Sequence, residues 1–114
     1  MAMILERVEI NIAKEFTDTP GPRYRHEGDH SGEQFRDELL RPRFLSAIDS
    51  KGKLHINLDA AVGYPTSFLE EAFGGLAREF GGAEVEQALE FTCNDEPYLE
   101  EQIRKYIRDA NRTR

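Results

Sequence analysis

Three short stretches of this chain alternate apolar and polar side chains with a period of two, and the runs between them repeat at helical spacing. Val8, Ile10 and Ile12 alternate with Arg7, Glu9 and Asn11. Leu54, Ile56 and Leu58 alternate with Lys53, His55 and Asn57, and Leu89, Phe91 and Cys93 with Glu90, Thr92 and Asn94. Such alternation marks a strand with one buried face. Strands separated by helical runs are joined by crossovers, which makes the sheet mostly parallel and the crossovers right-handed. A parallel sheet covered on both faces has nearly continuous apolar strands. These strands are interrupted at every second residue, so a two-layer α/β sandwich with helices on one face is expected. Glu9, Asn11, His55, Asn57, Glu90 and Thr92 then make up the open or partner-covered face.

The connections follow from local chemistry. Residues 13–16 lead into the turn-rich Thr19-Pro20-Gly21-Pro22-Arg23, and Tyr24-Arg25-His26 is a candidate short second strand. Ser31 is placed to cap a helix that turns Phe35, Leu39 and Leu40 inward. Pro42 should end or kink that helix near Arg41, with Phe44, Leu45 and Ile48 on a second piece before the Asp49-Ser50-Lys51-Gly52 turn. Pro65-Thr66-Ser67 opens the next helix. Ser67 and Glu70 have the capping-box spacing, and Phe68, Leu69, Ala72, Phe73 and Leu76 share its apolar face. Gly81-Gly82 is a natural stop, and residues 83–87 read as one more helical turn. Asn94 or Asp95, with Pro97 just inside, opens a last helix carrying Leu99, Ile103, Ile107 and Ala110 on one face.

At 114 residues the chain is read as one domain, residues 1–114, and 39% apolar with 32% charged residues is the balance of a soluble globular protein. No apolar run reaches the ~20 residues of a membrane helix. The apolar start, residues 1–5, is too short for a signal peptide before Glu6 and Arg7. One cysteine, Cys93, cannot form an intramolecular disulfide, so a reducing, cytoplasmic setting is expected. The net charge is −7, and residues 59–101 hold eleven acidic residues against Arg78 alone. Such a surface repels phosphate backbones and makes nucleic acid a poor partner, the basic tail being the one part that could bind it on its own. The tail reverses sign with Arg104, Lys105, Arg108, Arg112 and Arg114, cations suited to a helix C-terminus.

Chemistry-bearing residues are few. Thr66 and Ser67, at a helix N-terminus reached from a strand, offer hydroxyls beside unpaired N–H groups and a partial positive charge. Glu70 and Glu71 follow one turn on and would repel a phosphate there. Against that reading, Ser67 serves simply as a cap and Thr66 packs. Gly74-Gly75 follows a helical run, not a strand, so it is no phosphate loop and implies no cofactor; a close backbone approach to the sheet or to another chain explains it better. His26, His30 and the distant His55 have metal-ligand types, but a loop gives their spacing no geometry and no metal is expected. A catalytic Ser67 would need a base, and His55 points away from the helical layer, so no enzyme is expected. Cys93 lies on the apolar phase of its strand and reads as core filler. Arg23, in its Gly-Pro turn, is a candidate anion contact.

The residues also carry a resemblance. Gly21-Pro22-Arg23, Ser31-Gly32-Glu33-Gln34-Phe35-Arg36 with Leu39-Leu40-Arg41-Pro42, Asn57-Leu58-Asp59 and above all the run from Tyr64 to Leu76 together resemble the bacterial STAS-like domain family of unknown function. The most specific part is Ser67-Phe68-Leu69-Glu70-Glu71-Ala72-Phe73-Gly74. The resemblance implies a relative of the anti-sigma factor antagonists, whose fold is a mixed sheet with helices on one face. In phosphoregulated members of that wider group, an Asp-Ser-Ser-Gly motif at the strand-to-helix loop is phosphorylated on its second serine by an ATPase of the histidine-kinase fold. Thr66 and Ser67 fall on the serine pair, with Ser67 matching the acceptor. Pro65 stands where that motif has Asp, and Phe68 where it has Gly.

The function expected is a non-enzymatic regulatory, protein-interaction module. It would switch partners with a histidine-kinase-type ATPase through the loop and helix N-terminus at residues 63–73. Ser67 or Thr66 is the candidate phosphoacceptor, and Asp59, Gly63, Tyr64, Pro65, Phe68, Glu71 and Arg23 complete the candidate contact set. The alternative is a domain binding a nucleotide or small anion at the same helix N-terminus. A homo-oligomer built on the open sheet face or the glycine pair is the third reading.

Overall fold

The computed structural model describes residues 8–110. Residues 1–7, including Arg7 of the expected first strand, and the tail arginines Arg112 and Arg114 lie outside them. The sheet has three strands, β1 (Val8–Asn11), β2 (Leu54–Asn57) and β3 (Leu89–Thr92), in the order β1-β2-β3 and parallel throughout. Burial follows the alternation. Ile10, Leu54, Ile56 and Leu89 are buried, while Asn11, His55, Asn57, Glu90 and Thr92 are half-exposed. Parallel strands in the order β1-β2-β3 step the same way across the sheet, and the right-handed rule for such crossovers carries both connections to one face. This is the one-faced α/β arrangement expected from the strand pattern.

Tyr24-Arg25-His26 does not form a strand. The Tyr24 carbonyl accepts from the Glu27 N–H, and the Glu27 carboxylate accepts from the Tyr24 N–H, closing one turn of 3₁₀-helix at Arg25–Glu27. The backbone groups a strand would offer a neighbour are used locally, and the described sheet is purely parallel rather than mixed. A one-turn helix, α1 (Ile12–Glu15), begins where the first strand was expected to continue. Asn11 caps it, its Oδ1 accepting from the Lys14 N–H at 3.2 Å.

The first crossover is a continuous helix, α2, over residues 32–49. Ser31 caps it as expected, accepting from the Gln34 N–H at 3.0 Å. Pro42 neither ends nor breaks it. Proline lacks an N–H and its ring crowds the carbonyl four residues back. The preceding turn, Arg36–Leu40, has π geometry, with the Arg41 N–H bonding the Arg36 carbonyl five residues back, and the helix resumes over Arg41–Asp49.

The second crossover is α3, residues 66–80, also with a π stretch, Glu70–Gly74. It is followed by α4 (Gly82–Ala88), two turns long rather than one and running directly into β3. The last helix, α5 (Leu99–Ala110), starts later than Pro97 suggests, with the Gln102 N–H bonding the Tyr98 carbonyl. Asp95, an expected cap, is used elsewhere. Phe35, Phe44, Phe68, Phe73, Leu69 and Leu76 meet the apolar side of the sheet and are all but fully buried. Each contributes about 1.5–3 kcal/mol relative to an exposed position. Phe35 and Phe68 stack at 5.8 Å across α2 and α3, close enough that a Cβ on Gly32 would lie 2.5 Å from the Phe68 carbonyl oxygen.

Candidate interaction site at the strand C-termini

In a parallel sheet the loops leaving all three strands gather at one edge. Here they are tied to one another. The Leu58 N–H bonds the Thr92 carbonyl, extending the β2–β3 pairing by one residue. Asp59 accepts from the Asp95 N–H at 2.9 Å and from Asn94 Nδ2 at 3.2 Å, and Asp95 in return accepts from the Ala60 N–H at 2.8 Å. Ala60 is held at a φ of 73°, a left-handed conformation that this reciprocal bond stabilises. The Val62 N–H bonds the Asp18 carbonyl in the loop after α1. Tyr64 donates its hydroxyl to the Leu58 carbonyl at 2.9 Å. Burial first, then the charges of Asp59 and Glu96, push the Tyr64 phenol far above its usual range, so it stays a neutral donor.

This bracing delivers Pro65 to the start of α3. Pro65, not Ser67, occupies the cap position, and no side chain caps the helix. The expected capping box is absent because Ser67 lies inside the first turn, where its hydroxyl is past the N–H groups a cap would serve. Thr66 is exposed and Ser67 half-buried at this uncapped end. Gly63 and Tyr64 are half-buried beside them, and Pro65 is exposed. Phe68 is fully buried in the core, so it supports the site from beneath rather than facing a partner.

Arg23 and Glu71 belong to a second construction below the site. Glu71 is only 8% exposed, and Arg36 Nη1 donates to both its carbonyl and its carboxylate at 2.7 Å. Arg23 bonds Glu70 and Glu71 together, and Arg78 bonds Glu70 at 2.8 Å. Burial works to raise the Glu70 carboxyl, but Arg78 and Arg23 outweigh it and hold the group below the usual carboxylate range. The Arg23 guanidinium, strengthened as a cation mainly by Glu70, is therefore committed to carboxylates. The glycine pair also belongs here. A Cβ on Gly75 would sit 2.3 Å from Arg36 Nη1, so within the chain the close approach at this glycine is made by an arginine side chain rather than by the sheet.

The remaining candidates lie apart. His26 stacks on Tyr24 and His30 meets Phe16 edge-on, both on the surface. His55 bonds Thr92 at 2.6 Å on the open sheet face. Among the described residues no group of three or more His, Cys, Asp or Glu side chains could hold a metal ion. Cys93 is just past β3, half-buried against the core, with its thiol 3.6 Å from the Pro97 carbonyl. No described helix is long and apolar enough to cross a membrane.

Sequence reasoning did not single out Asp18, Val62 or Tyr98, which share this edge, and read Asp95 only as a helix cap. Val62 and Tyr98 are 80% and 62% exposed. The signal was available: each follows the C-terminal end of a strand or its first turn, and parallel order brings those ends together.

No curated protein and no solved structure matched the chain. A family model described as the STAS-like domain of unknown function matches residues 31–99, from the cap of α2 through the braced loop to the first residue of α5. The chain belongs to that STAS-like family.

Proposed function

We propose that this domain is a non-enzymatic regulatory module that binds a protein partner through the β2–α3 loop and the first turns of α3, residues 63–73. The partner class is a histidine-kinase-type ATPase, and Ser67, with Thr66 as the neighbouring acceptor, is the switch. The observation that carries this reading is an uncapped helix end, presenting two hydroxyl residues, on a loop braced to both neighbouring loops. A rigid, solvent-facing helix end is suited to docking, because little order has to be imposed on binding.

Charge supports the switch. The sequence places Glu70 and Glu71 where they would repel a phosphate, yet both are paired to arginines, Arg23, Arg36 and Arg78. Arg36 also meets Asp37 at 3.6 Å, so three carboxylates balance three guanidiniums and the turn beneath Ser67 is not left acidic. A phosphate on Ser67 would then meet no bare carboxylate there, and the free N–H groups of the first turn would favour it. Replacing Ser67 with Asp is expected to weaken partner binding at least tenfold, and unchanged affinity would remove the switch.

The second reading, a nucleotide or small anion at the same N–H groups, draws on the missing cap alone. Among the described residues the strand order β1-β2-β3 does not reverse, so no crevice of the kind that holds nucleotides at a reversal point is found there. The three edge loops, residues 16–20, 58–65 and 93–98, contain no lysine or arginine. Calorimetry with ATP and with inorganic phosphate is expected to show no heat.

A further inference from the structure

At the other end of the sheet, where β2 begins, a cleft of about 410 Å³ opens between the last turns of α2 and α4. Its size is that of a small-molecule site. Phe44 and Phe80, with ring centroids 5.0 Å apart, form its apolar floor. Leu45 and Ile48 line it and remain 39% and 45% exposed, two neighbouring aliphatic side chains left in water on one helix. Lys51 and Lys53 stand among the lining residues.

These lysines, like Lys14, differ from the other described cations in having no ion pair. Every described arginine, and Lys105, takes part in an ion pair. Lys51 and Lys53 take part in none among the described residues. Lys51 also holds a φ of 60° just past the end of α2, where glycine or asparagine would serve helix termination better. In a chain of net charge −7, two unpaired cations beside an exposed apolar cleft make a local charge opposite to that of the molecule. Glu84 also lines the cleft and opposes them.

We propose that this cleft binds a small amphiphilic anion, a single alkyl or aryl chain with one anionic head. The chain would lie on Phe44, Phe80, Leu45 and Ile48, and the head between Lys51 and Lys53. A cationic amphiphile is rejected by the two lysines, and a neutral one forgoes their attraction. The site is independent of the β2–α3 loop.

The test is an amide NMR titration of the full chain with decanoate and with decyltrimethylammonium, which share a chain length and differ in head charge. Decanoate is expected to shift amides of residues 44–53 and 80–88 and to bind about tenfold tighter than the ammonium. K51E/K53E should invert that order and E84Q should tighten decanoate. I48D should weaken both ligands, and thermal unfolding should show each variant folded. All four residues are exposed, so the fold does not depend on them. Equal affinity for the two amphiphiles, no shift at millimolar decanoate, or shifts confined to residues 58–67 would overturn the proposal. So would a dimer by light scattering that I48D dissociates, because a second copy would then be the occupant.

Discussion

Ser67 shows how one residue position decides what a hydroxyl can do. Two residues earlier, at the position Pro65 holds, it would be spent as a cap. Inside the first turn, with Pro65 at the cap, it is left beside donors it does not itself satisfy. Gly32 makes the complementary point about space. A Cβ there meets the Phe68 backbone, which cannot swing aside as a side-chain tip can. Gly32→Ala is therefore expected to cost about 1–3 kcal/mol in chemical denaturation, by prising α2 from α3. Glu70 sets a pH dependence. Its folded carboxyl is below the ordinary value of 4.5, so the stability it contributes is present above that value and lost as pH falls through the folded one. Glu70→Gln should flatten the acid limb of a pH–stability profile below about pH 4.5. A limb unchanged by that substitution would show that Arg23 and Arg78 do not act on it as described.

At the scale of elements, the missing cap on α3 is the feature to test. Pro65→Ser supplies an oxygen to the free N–H groups and is expected to raise stability by about 0.5–1 kcal/mol while weakening partner docking. Stability without a change in docking would mean the helix end is not the contact. The elements themselves were largely legible in the sequence. Alternation located all three strands, and its incompleteness predicted the single covered face. The two π stretches were not legible, because helical periodicity is nearly unchanged by one widened turn. Pro42 signalled a disturbance, and the π turn before it is that disturbance; the helix does not end there, with Phe44 and Ala47 buried beyond it. The candidate site was legible in part. Thr66 and Ser67 could be placed at a helix end from Pro65 alone. The pairing of Arg23 and Arg36 with Glu71 spans 48 and 35 residues, and no local rule reaches that far.

Over the whole molecule, residues within the family match serve two different ends. Arg36, Glu71, Gly32 and Gly75 lock α2 against α3, whereas Tyr64 to Ser67 form the surface that the lock supports. Removing the lock should therefore loosen the site from beneath. Arg36→Met leaves Glu71 buried without its closest cation, and a loss of about 3–5 kcal/mol in unfolding free energy is expected. The central claim is that the braced end of α3 is a phosphorylation-controlled docking surface. Its most direct test is to purify the full chain from its native host and determine intact mass, modified position and bound partner together. The account predicts a phosphorylated fraction, modified at Ser67 or Thr66 and free of partner, beside an unmodified fraction bound to a histidine-kinase-type ATPase. An unmodified chain with no such partner, or a phosphorylated chain still holding it, would contradict the account.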